Sequence, residues 1–377
     1  MTLVINEEQQ MLKTSAAEFL KEKAPVAALR KLRDENNPQG YDANLWKEMA
    51  EIGWASLVVP EQYGGLDFGY VGFGQLLEEM GRTLTASPMV STVLLSSHAI
   101  LLAGTDAQKE VLLPAIGQGE LVMTLALEEG KQHRPAKTAL SAVASGQGYT
   151  LNGKKVFVLD GQVADKLIVV ARTSDQPGDE NGLTMFLVDA KAEGITITHT
   201  SMMDSRNAAT IVFENVQATE VLGELDQAFP VLNKVLDIAC IGLSAEMIGS
   251  IQEAFERTVN YLRERKQFEV PIGSFQGLQH RAAVMYGEIE ICKSIVIKSL
   301  QAIDRDRKDL SRIASMCKAK IGETIKLVTN EGVQMFGGIG MTDDEEIGFF
   351  LKRARVAQQT FGDYNYHLDR YARILGF

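Results

Sequence analysis

Two segments in the last third of the chain carry residue types suited to binding a phosphorylated ligand. RKQFEVPIGSFQGLQH, at residues 265–280, begins with Arg265, and QMFGGIGM, at residues 334–341, contains Gly337 and Gly338. A guanidinium group is always charged and can bind a diphosphate through two parallel hydrogen bonds. A glycine lacks the Cβ that would keep a ligand away from the backbone. The alternative is structural: Arg265 stabilises the end of a long helix, and the glycines end the next one.

Long helical patterns must position these two segments. The C-terminal region predicts helices at residues 228–265, 276–304, 308–337 and 344–375. Residues 1 to about 120 are also predicted to be helical, with Asn6 as the N-cap of the first helix and further helices at 72–81 and 90–104. The glycine-rich string PEQYGGLDFG, at residues 60–69, predicts a turn.

Between the helical regions the pattern becomes that of short strands. Segments such as KLIVVART, LTMFLVDA and TIVFENV are rich in β-branched residues, and Asn152-Gly153 and Gln176-Pro177-Gly178 are predicted as turn residues. We therefore predict a multidomain α+β protein. It has an N-terminal helical domain at 1–120, a small antiparallel β-sheet or β-barrel domain at 121–225 and a C-terminal helical bundle at 226–377.

Composition excludes several classes of function. The chain has 38 basic and 49 acidic residues, a net charge of −11, which disfavours nucleic acid as a partner. Cys240, Cys292 and Cys317 are unclustered in apolar helical patterns, which indicates reduced core thiols. His133 and His280 lack the spacing of metal ligands, so no metal site is predicted. No apolar stretch approaches the roughly 20 residues that span a bilayer, and no signal peptide is evident. We expect a cytoplasmic protein.

Six strings in order make the chain resemble the acyl-CoA dehydrogenase family. They are PEQYGG followed by EEMGR, GTDAQKEVLLPAIGQGE, VFENV, RKQFEVPIGSFQ and QMFGGIG. Members of that family use FAD to introduce a double bond between Cα and Cβ of a CoA thioester. The resemblance runs through most of the chain and implies the same succession of helical, β and helical domains. Function still has to be argued residue by residue.

The resemblance implies that the two C-terminal segments contact the ADP half of an FAD that belongs to a neighbouring subunit. In this chain the corresponding residues are Arg265, Phe268 and Gln276 near the pyrophosphate, and Gln334, Gly337 and Gly338 near the adenine.

The resemblance also shows what this chain lacks for a flavin of its own. The family has a Thr-Glu-Pro string followed by Gly-Ser-Asp, whereas residues 125–136 here read LALEEGKQHRPA, with Leu127 in place of the threonine. A Trp-Ile-Thr-Asn string is replaced by residues 157–160, in which Leu159 stands for the threonine near flavin N5. A leucine side chain cannot donate a hydrogen bond there.

The family's catalytic base is missing as well. Its Glu-Gly-Thr string corresponds to QQTFGDYNYH at residues 358–367, so the glutamate position falls on Phe361, or on Gly362 if the register shifts by one. Some relatives instead carry the glutamate 26 residues before the arginine that matches Arg265, and that position is Ala239. None of these side chains can take a proton.

Three acids lie close enough in sequence to be considered as a substitute base. Asp237 is about 200° round the helix from Ala239, and Glu246 shares its face but lies about 10 Å further along the axis. Asp363 is nearest to the usual position and is kept as the candidate base, although its shorter side chain starts from a shifted position. The alternative for each is an ordinary surface or helix-pairing carboxylate.

The retained and missing parts favour a small subunit of a heterotetramer that completes the FAD site of a catalytic partner. The chain resembles the small subunits of pimeloyl-CoA or steroid side-chain dehydrogenases. One alternative is a homo-oligomeric dehydrogenase with an unusual base, and another is a flavin-free interaction scaffold. The resemblance further implies an acyl-CoA thioester as substrate and an electron-transfer flavoprotein as electron acceptor.

Overall fold

The computed structural model describes residues 4–377, in which α-helices flank a central β-sheet region along the chain. The helices are α1 (Glu7–Lys23), α2 (Val26–Asp34), α3 (Ala43–Glu51), α4 (Tyr70–Thr83), α5 (His98–Ala103), α6 (Asp106–Gly117), α7 (Ala228–Glu264), α8 (Gln276–Asp304), α9 (Leu310–Phe336), α10 (Ile347–Gln359) and α11 (Tyr364–Ile374). This confirms the predicted fold class.

The middle region forms one eight-stranded sheet. Its strands are β1 (Met123–Ala126), β2 (Ser141–Ser145), β3 (Gly148–Leu159), β4 (Lys166–Arg172), β5 (Leu183–Asp189), β6 (Ile195–His199), β7 (Ala208–Ala218) and β8 (Glu220–Leu222). The order is β6-β7-β3-β2-β4-β5-β8, and β1 pairs with β4. Two short strands, β9 (Lys266–Gln267) and β10 (Val270–Pro271), form a separate hairpin.

The prediction of an antiparallel sheet was wrong for two pairings. Strands β2 and β4 pair in parallel, with Ser141 opposite Arg172, and so do β1 and β4, with Met123 opposite Lys166. The β2–β3 hairpin lies between them in sequence. A connection of this length lets the chain return in the same direction, whereas a short turn would enforce antiparallel pairing.

Asn152-Gly153 is not a turn but lies inside β3. The pairing with β7 shifts register between Leu151 and Gly153, so the glycine marks a β-bulge. Its φ is +147°, and a Cβ at this position would come within 2.9 Å of the Leu140 side chain. The chain reverses before it, between Ser145 and Gly148. By contrast, the predicted turn at residues 176–178 is confirmed by a hydrogen bond from the Asp179 N–H to the Gln176 carbonyl.

The chain divides into two compact units. Of the described residues, the first unit comprises 4–31, 69–85 and 240–377, and the second comprises 32–68 and 86–239. In the first unit α9 packs against α8, α10 and α11, and α1 packs against α4. In the second, the sheet buries a core that includes Leu151, Val169, Phe186, Ile211 and Phe213. All three cysteines are buried and none is in a disulfide, as expected for reduced core thiols.

Two glycines set a very close approach of α4 to α7 within the first unit. A Cβ on Gly81 would lie 1.9 Å from the Glu246 carbonyl oxygen, and one on Gly249 would lie 1.8 Å from the Glu78 carbonyl oxygen. Each helix therefore requires a glycine opposite the other helix's backbone, and the pair fixes where α7 crosses α4.

The N-terminal predictions hold with one change of helix type. Asn6 caps α1 by accepting the Gln9 N–H, as expected. The helix predicted at 90–104 begins with a π-helical segment, Met89–Ser97, before α5. The hydroxyls of Ser96 and Ser97 each donate to the carbonyl five residues earlier, and this wider winding is not visible in an apolar pattern.

The long C-terminal helices were predicted closely, except for the last. Residues 228–265 and 276–304 correspond to α7 and α8, but residues 344–375 form two helices, α10 and α11, rather than one. The break lies at Thr360–Asp363, where Phe361 and Gly362 both have positive φ, +60° and +102°. A left-handed residue cannot continue a right-handed helix, so the chain must restart.

Helix α7 also corrects the expectation that no apolar stretch is long enough to cross a membrane. Within residues 4–377 it passes that test by length and composition, but 72% of its most apolar window is buried inside the protein. A single apolar helix that is mostly buried is typical of a protein core.

Candidate functional site

The β9–β10 hairpin directly follows α7 and presents an aromatic side chain to solvent. Phe268 and Glu269 occupy its two-residue turn with φ of +53° and +67°, the left-handed pair that a tight hairpin requires. The Phe268 side chain is 87% exposed and packs edge-on against the ring of Phe275, with centroids 6.2 Å apart. A large apolar side chain held outward at a hairpin tip suits contact with a further molecule.

Arg265 lies at the base of this hairpin. Its backbone carbonyl accepts the Ile272 N–H at 2.8 Å, which closes the hairpin. The side chain is exposed, and within residues 4–377 its guanidinium makes no hydrogen bond or ion pair. The backbone of Arg265 is thus structural, while its five N–H donors remain available to an anion.

The second segment ends α9 with two glycines that leave the backbone open. Gly337 has φ +68°, and a Cβ on either Gly337 or Gly338 would meet nothing within 4 Å. Gly340 differs, since its Cβ would lie 2.7 Å from that of Phe336, so packing alone requires a glycine there. Gln334, in the last turn of α9, is exposed. The first two glycines and the glutamine therefore leave room for a ligand.

A contact that the sequence did not predict joins these two segments. The ring of Tyr261 stacks on that of Phe336 with centroids 4.3 Å apart, and its hydroxyl donates to the Phe336 carbonyl at 3.2 Å. Tyr261 lies one helical turn before Arg265, and Phe336 directly precedes Gly337. The only sequence signal was an aromatic residue at each of these flanking positions.

Gln276 begins α8 and is exposed, next to an end of that helix without a side-chain cap. The free N–H groups and dipole of a helix start favour an anion. Together with Arg265, Phe268 and the open glycines, this gives cationic, aromatic and close-approach elements on one unit. These are the residue types that the phosphates and rings of a dinucleotide such as FAD require.

The second unit, by contrast, offers no side-chain donor at the two positions that would contact a flavin ring. Leu127 is buried, and its carbonyl accepts the Nζ of Lys155 at 3.0 Å. Lys155 is fully buried and also donates to Glu129 at 2.8 Å. Burial lowers its pKa, an effect that the charge of Glu129 opposes. Leu159 is half-buried, and its carbonyl accepts the Thr124 hydroxyl. At these two positions the second unit therefore cannot donate a side-chain hydrogen bond to a flavin ring.

The residues at the expected base positions cannot accept a proton. Phe361 is 9% exposed and lies in the break between α10 and α11, followed by Gly362. Ala239 is fully buried. Whether this chain has a catalytic base therefore depends on the three carboxylates considered as substitutes.

The carboxylates considered as substitutes have partners within the protein. Asp363 is the N-cap of α11, where its side chain accepts the Tyr366 N–H at 2.8 Å. Glu246 is 4% exposed and forms a two-pronged ion pair with Arg353, with Nε···Oε1 and Nη2···Oε2 distances of 3.0 and 3.2 Å. Asp237 is also buried, at 1% exposure. The helix-capping role of Asp363 and the ion pair of Glu246 are structural roles, as the alternative for each of them predicts.

The histidines serve other roles. His133 pairs with the Glu128 carboxylate, whereas His280 is exposed on α8. Over the described part of the chain, no three His, Cys, Asp or Glu side chains converge in a way that could hold a metal ion.

Comparison with known proteins places this geometry in a family. The acyl-CoA dehydrogenase N-terminal, middle and C-terminal domain models match residues 6–120, 126–216 and 227–376. A 3-(aryl)acrylate reductase of Clostridium sporogenes is 30% identical over 367 residues, 94% of this chain and 94% of its own length.

Solved structures agree. Butyryl-CoA dehydrogenase from Megasphaera elsdenii, 26% identical, superposes with a TM-score of 0.91 over 100% of both chains. The Tcur3481-Tcur3483 steroid ACAD, 30% identical, superposes with a TM-score of 0.88 over 99% of this chain and 98% of that one. Since all three domain models match in order, this chain belongs to the acyl-CoA dehydrogenase family of flavin-dependent oxidoreductases.

Proposed function

We propose that this chain is the non-catalytic small subunit of a heteromeric acyl-CoA dehydrogenase and completes the FAD site of a catalytic partner. One observation carries the proposal: the exposed surface of Arg265, Phe268 and Gly337 fits a dinucleotide, whereas the base position holds the buried Phe361. A chain that serves a flavin in trans but lacks its own base is accounted for by pairing with a second, complete chain.

The local geometry supports Phe361, rather than Gly362, as the residue at the base position. Gly362 has φ +102°, which suits the glycine of a Glu-Gly-Thr string. Asp363 caps α11, a role that threonine also fills well. If Gly362 and Asp363 match the glycine and the threonine of that string, Phe361 stands at the position of the glutamate.

The loss matters because the α-proton of a thioester is too weakly acidic to leave unaided. A positioned carboxylate contributes roughly 10²–10⁴ in rate, and an apolar side chain contributes none of it. When bound, FAD accepts the β-hydrogen of the acyl chain as a hydride. In this chain Arg265 would hold the pyrophosphate, Gly337 and Gly338 would admit the adenine, and Phe268 would cover the cofactor from solvent.

The second candidate function is a homo-oligomeric dehydrogenase with an unusual base. The structural roles of Asp363 and Glu246 weigh against it, since one caps a helix and the other is paired with Arg353. A flavin-free scaffold, the third candidate, leaves the unpaired guanidinium of Arg265 and the open Gly337 without a purpose.

The substrate class and partners follow from the family and remain part of the proposal. The substrate is an acyl-CoA thioester held by the catalytic partner, and an electron-transfer flavoprotein accepts the electrons. Similarity to a steroid ACAD favours a bulky acyl group. Three buried cysteines that form no disulfide with one another agree with a reducing compartment such as the cytoplasm.

The test is the FAD content of the chain purified alone and of the complex isolated through a tag on this chain. We expect little FAD in the isolated chain, and one FAD for every two chains in a complex with a second acyl-CoA dehydrogenase chain. Absorbance gives the flavin and native mass spectrometry gives the subunit ratio.

One flavin per chain in a homo-oligomer, bleached anaerobically by CoA thioesters, would overturn the proposal in favour of the second candidate. A colourless chain whose complex contains no flavin would favour the scaffold.

A further inference from the structure

The end of α10 is capped by a lysine from another helix. The last four carbonyl groups of an α-helix lack partners within the helix. In α10 two of them accept backbone N–H groups of the following turn. The other two, those of Ala357 and Gln358, accept the Nζ of Lys318 at 2.9 and 3.1 Å. Lys318 belongs to α9, about 40 residues earlier in the chain.

The same ammonium group extends beyond the helix into the break. Its third hydrogen bond goes to the carbonyl of Gly362, at 3.1 Å. Lys318 is 2% exposed, so its three N–H donors are all used on backbone carbonyls and none on water. The negative end of the α10 dipole also faces this cation. Lys318 thus ties the last turn of α10 to the residue after Phe361.

Two further buried side chains hold the carbonyl of Phe361. His367 Nε2 lies 3.0 Å from it and Cys240 Sγ lies 3.7 Å from it. A carbonyl oxygen only accepts hydrogen bonds, so Nε2 must carry the proton. The thiol, 3.8 Å from Nε2, therefore donates to the carbonyl as well and does not form a thiolate–imidazole pair. Cys240 and His367 act as donors here, not as a nucleophile and its base.

These donors stabilise a backbone conformation at Phe361 that is unfavourable for its residue type. Phe361 has φ +60°, which is uncommon for a bulky side chain without a surrounding structure that imposes it. Four carbonyls between Ala357 and Gly362 are bound by side chains of α7, α9 or α11: those of Ala357, Gln358, Phe361 and Gly362.

We propose that Lys318 is a positioning residue that, with His367 and Cys240, fixes the Thr360–Asp363 turn and so sets the direction in which the side chain of residue 361 points. The turn is then shaped by long-range donors and not by the identity of residue 361. The role of these three donors in the turn does not depend on the proposed function.

The test is local hydrogen exchange, followed by mass spectrometry, in Lys318→Met. This variant keeps the volume and removes all three donors. We expect exchange in peptides that cover residues 357–364 to accelerate at least tenfold relative to peptides from α8. The matched control is Lys155→Met, which removes the buried lysine of the other unit and should leave the turn unchanged. Equal acceleration throughout the helical unit in Lys318→Met would overturn the proposal.

The variant Phe361→Gly tests the proposal independently if Lys318→Met does not fold. If donors impose the turn, deleting the side chain leaves protection of residues 357–364 within threefold of the unmodified protein. Tenfold faster exchange in Phe361→Gly would show that packing of the phenyl ring shapes the turn, and would overturn the proposal.

Discussion

Tyr261 stacks on Phe336 at a centroid distance of 4.3 Å and donates its hydroxyl to the carbonyl of that same residue. One residue pair therefore sets the spacing between the end of α7, which carries Arg265, and the end of α9, which carries Gly337. The two segments that we propose to contact FAD share this support although about 70 residues separate them in sequence.

Substitutions of Tyr261 should separate its two contributions. Tyr261→Phe loses only the hydrogen bond and should lower the free energy of unfolding by about 1 kcal/mol. Tyr261→Ala also loses the ring stack, and we expect FAD affinity of the assembled complex to fall at least tenfold. Urea denaturation and FAD titration measure the two effects. Tyr286→Phe, at an exposed position, is the control, and an unchanged FAD affinity in Tyr261→Ala would contradict the coupling.

Arg265→Ala should weaken FAD binding by roughly 10- to 100-fold, because a charge-assisted hydrogen bond contributes about 1.5–3 kcal/mol. The control is Arg263→Ala, which removes an exposed arginine two residues earlier in α7. Arg265→Lys should restore only part of the affinity, since lysine keeps the charge but not the two-pronged geometry. The measurement is flavin retention by the complex during dialysis. Equal losses in Arg263→Ala and Arg265→Ala would show a general charge effect.

Glu246→Gln should lower the free energy of unfolding by about 3–5 kcal/mol, because it leaves the buried guanidinium of Arg353 without its counter-charge. The double variant Glu246→Gln, Arg353→Met should recover most of this loss in denaturant titrations. A stable Glu246→Gln protein that lost flavin bleaching by CoA thioesters would instead identify Glu246 as a catalytic base.

The buried ammonium of Lys318 predicts a pH dependence of stability. Burial lowers its pKa to about 8, and nearby Cys240, Asp363 and Cys317 oppose this lowering while Arg353 adds to it. The usual value is 10.5, so between about pH 8 and 10.5 the unfolded chain binds more protons, and stability must rise with pH.

Relative to Lys318→Met, the unmodified protein should therefore gain up to about 3 kcal/mol in free energy of unfolding as the pH rises through this range. Urea denaturation of both proteins at pH 7.5 and pH 10 checks the sign. A difference that stays constant or shrinks at pH 10 would refute a lowered pKa.

Gly249→Ala should destabilise the protein by more than the roughly 1–3 kcal/mol of an ordinary overpacked site, because its Cβ would lie 1.8 Å from a backbone oxygen. Gly287→Ala is the matched control, since a Cβ at that position on α8 meets nothing within 4 Å. There we expect a gain of about 0.5–1 kcal/mol from helix propensity. Thermal denaturation of both variants gives the comparison, and similar melting temperatures would argue against the close crossing.

The sequence predicted the long helices well because their signals are local. The start of α7 and both ends of α8 follow from apolar periodicity and the turns beside them. The break at Phe361 was missed, although Gly362 and Asp363 are ordinary stop and start residues, because the apolar pattern runs on through it. The parallel pairing of β1 with β4 was missed because it depends on a distant segment.

In the candidate site, too, local features were predicted from the sequence and long-range contacts were not. Arg265, Gly337 and Gly338 could be named from residue type, since each carries its chemistry in its own side chain or in the lack of one. The pairing of Glu246 with Arg353 joins residues 107 positions apart, and no spacing rule predicts it. Its absence from the sequence argument is why Glu246 remained a possible base.

Donors on α7, α9 and α11 fix the shape of the Thr360–Asp363 turn, so the turn can hold different side chains at position 361 in the same orientation. Exchanging that side chain leaves the donors of Lys318, His367 and Cys240 in place, so it does not require the backbone to be rebuilt. A chain with a base at position 361 and a chain without one can thus share the same turn, held by the same three donors.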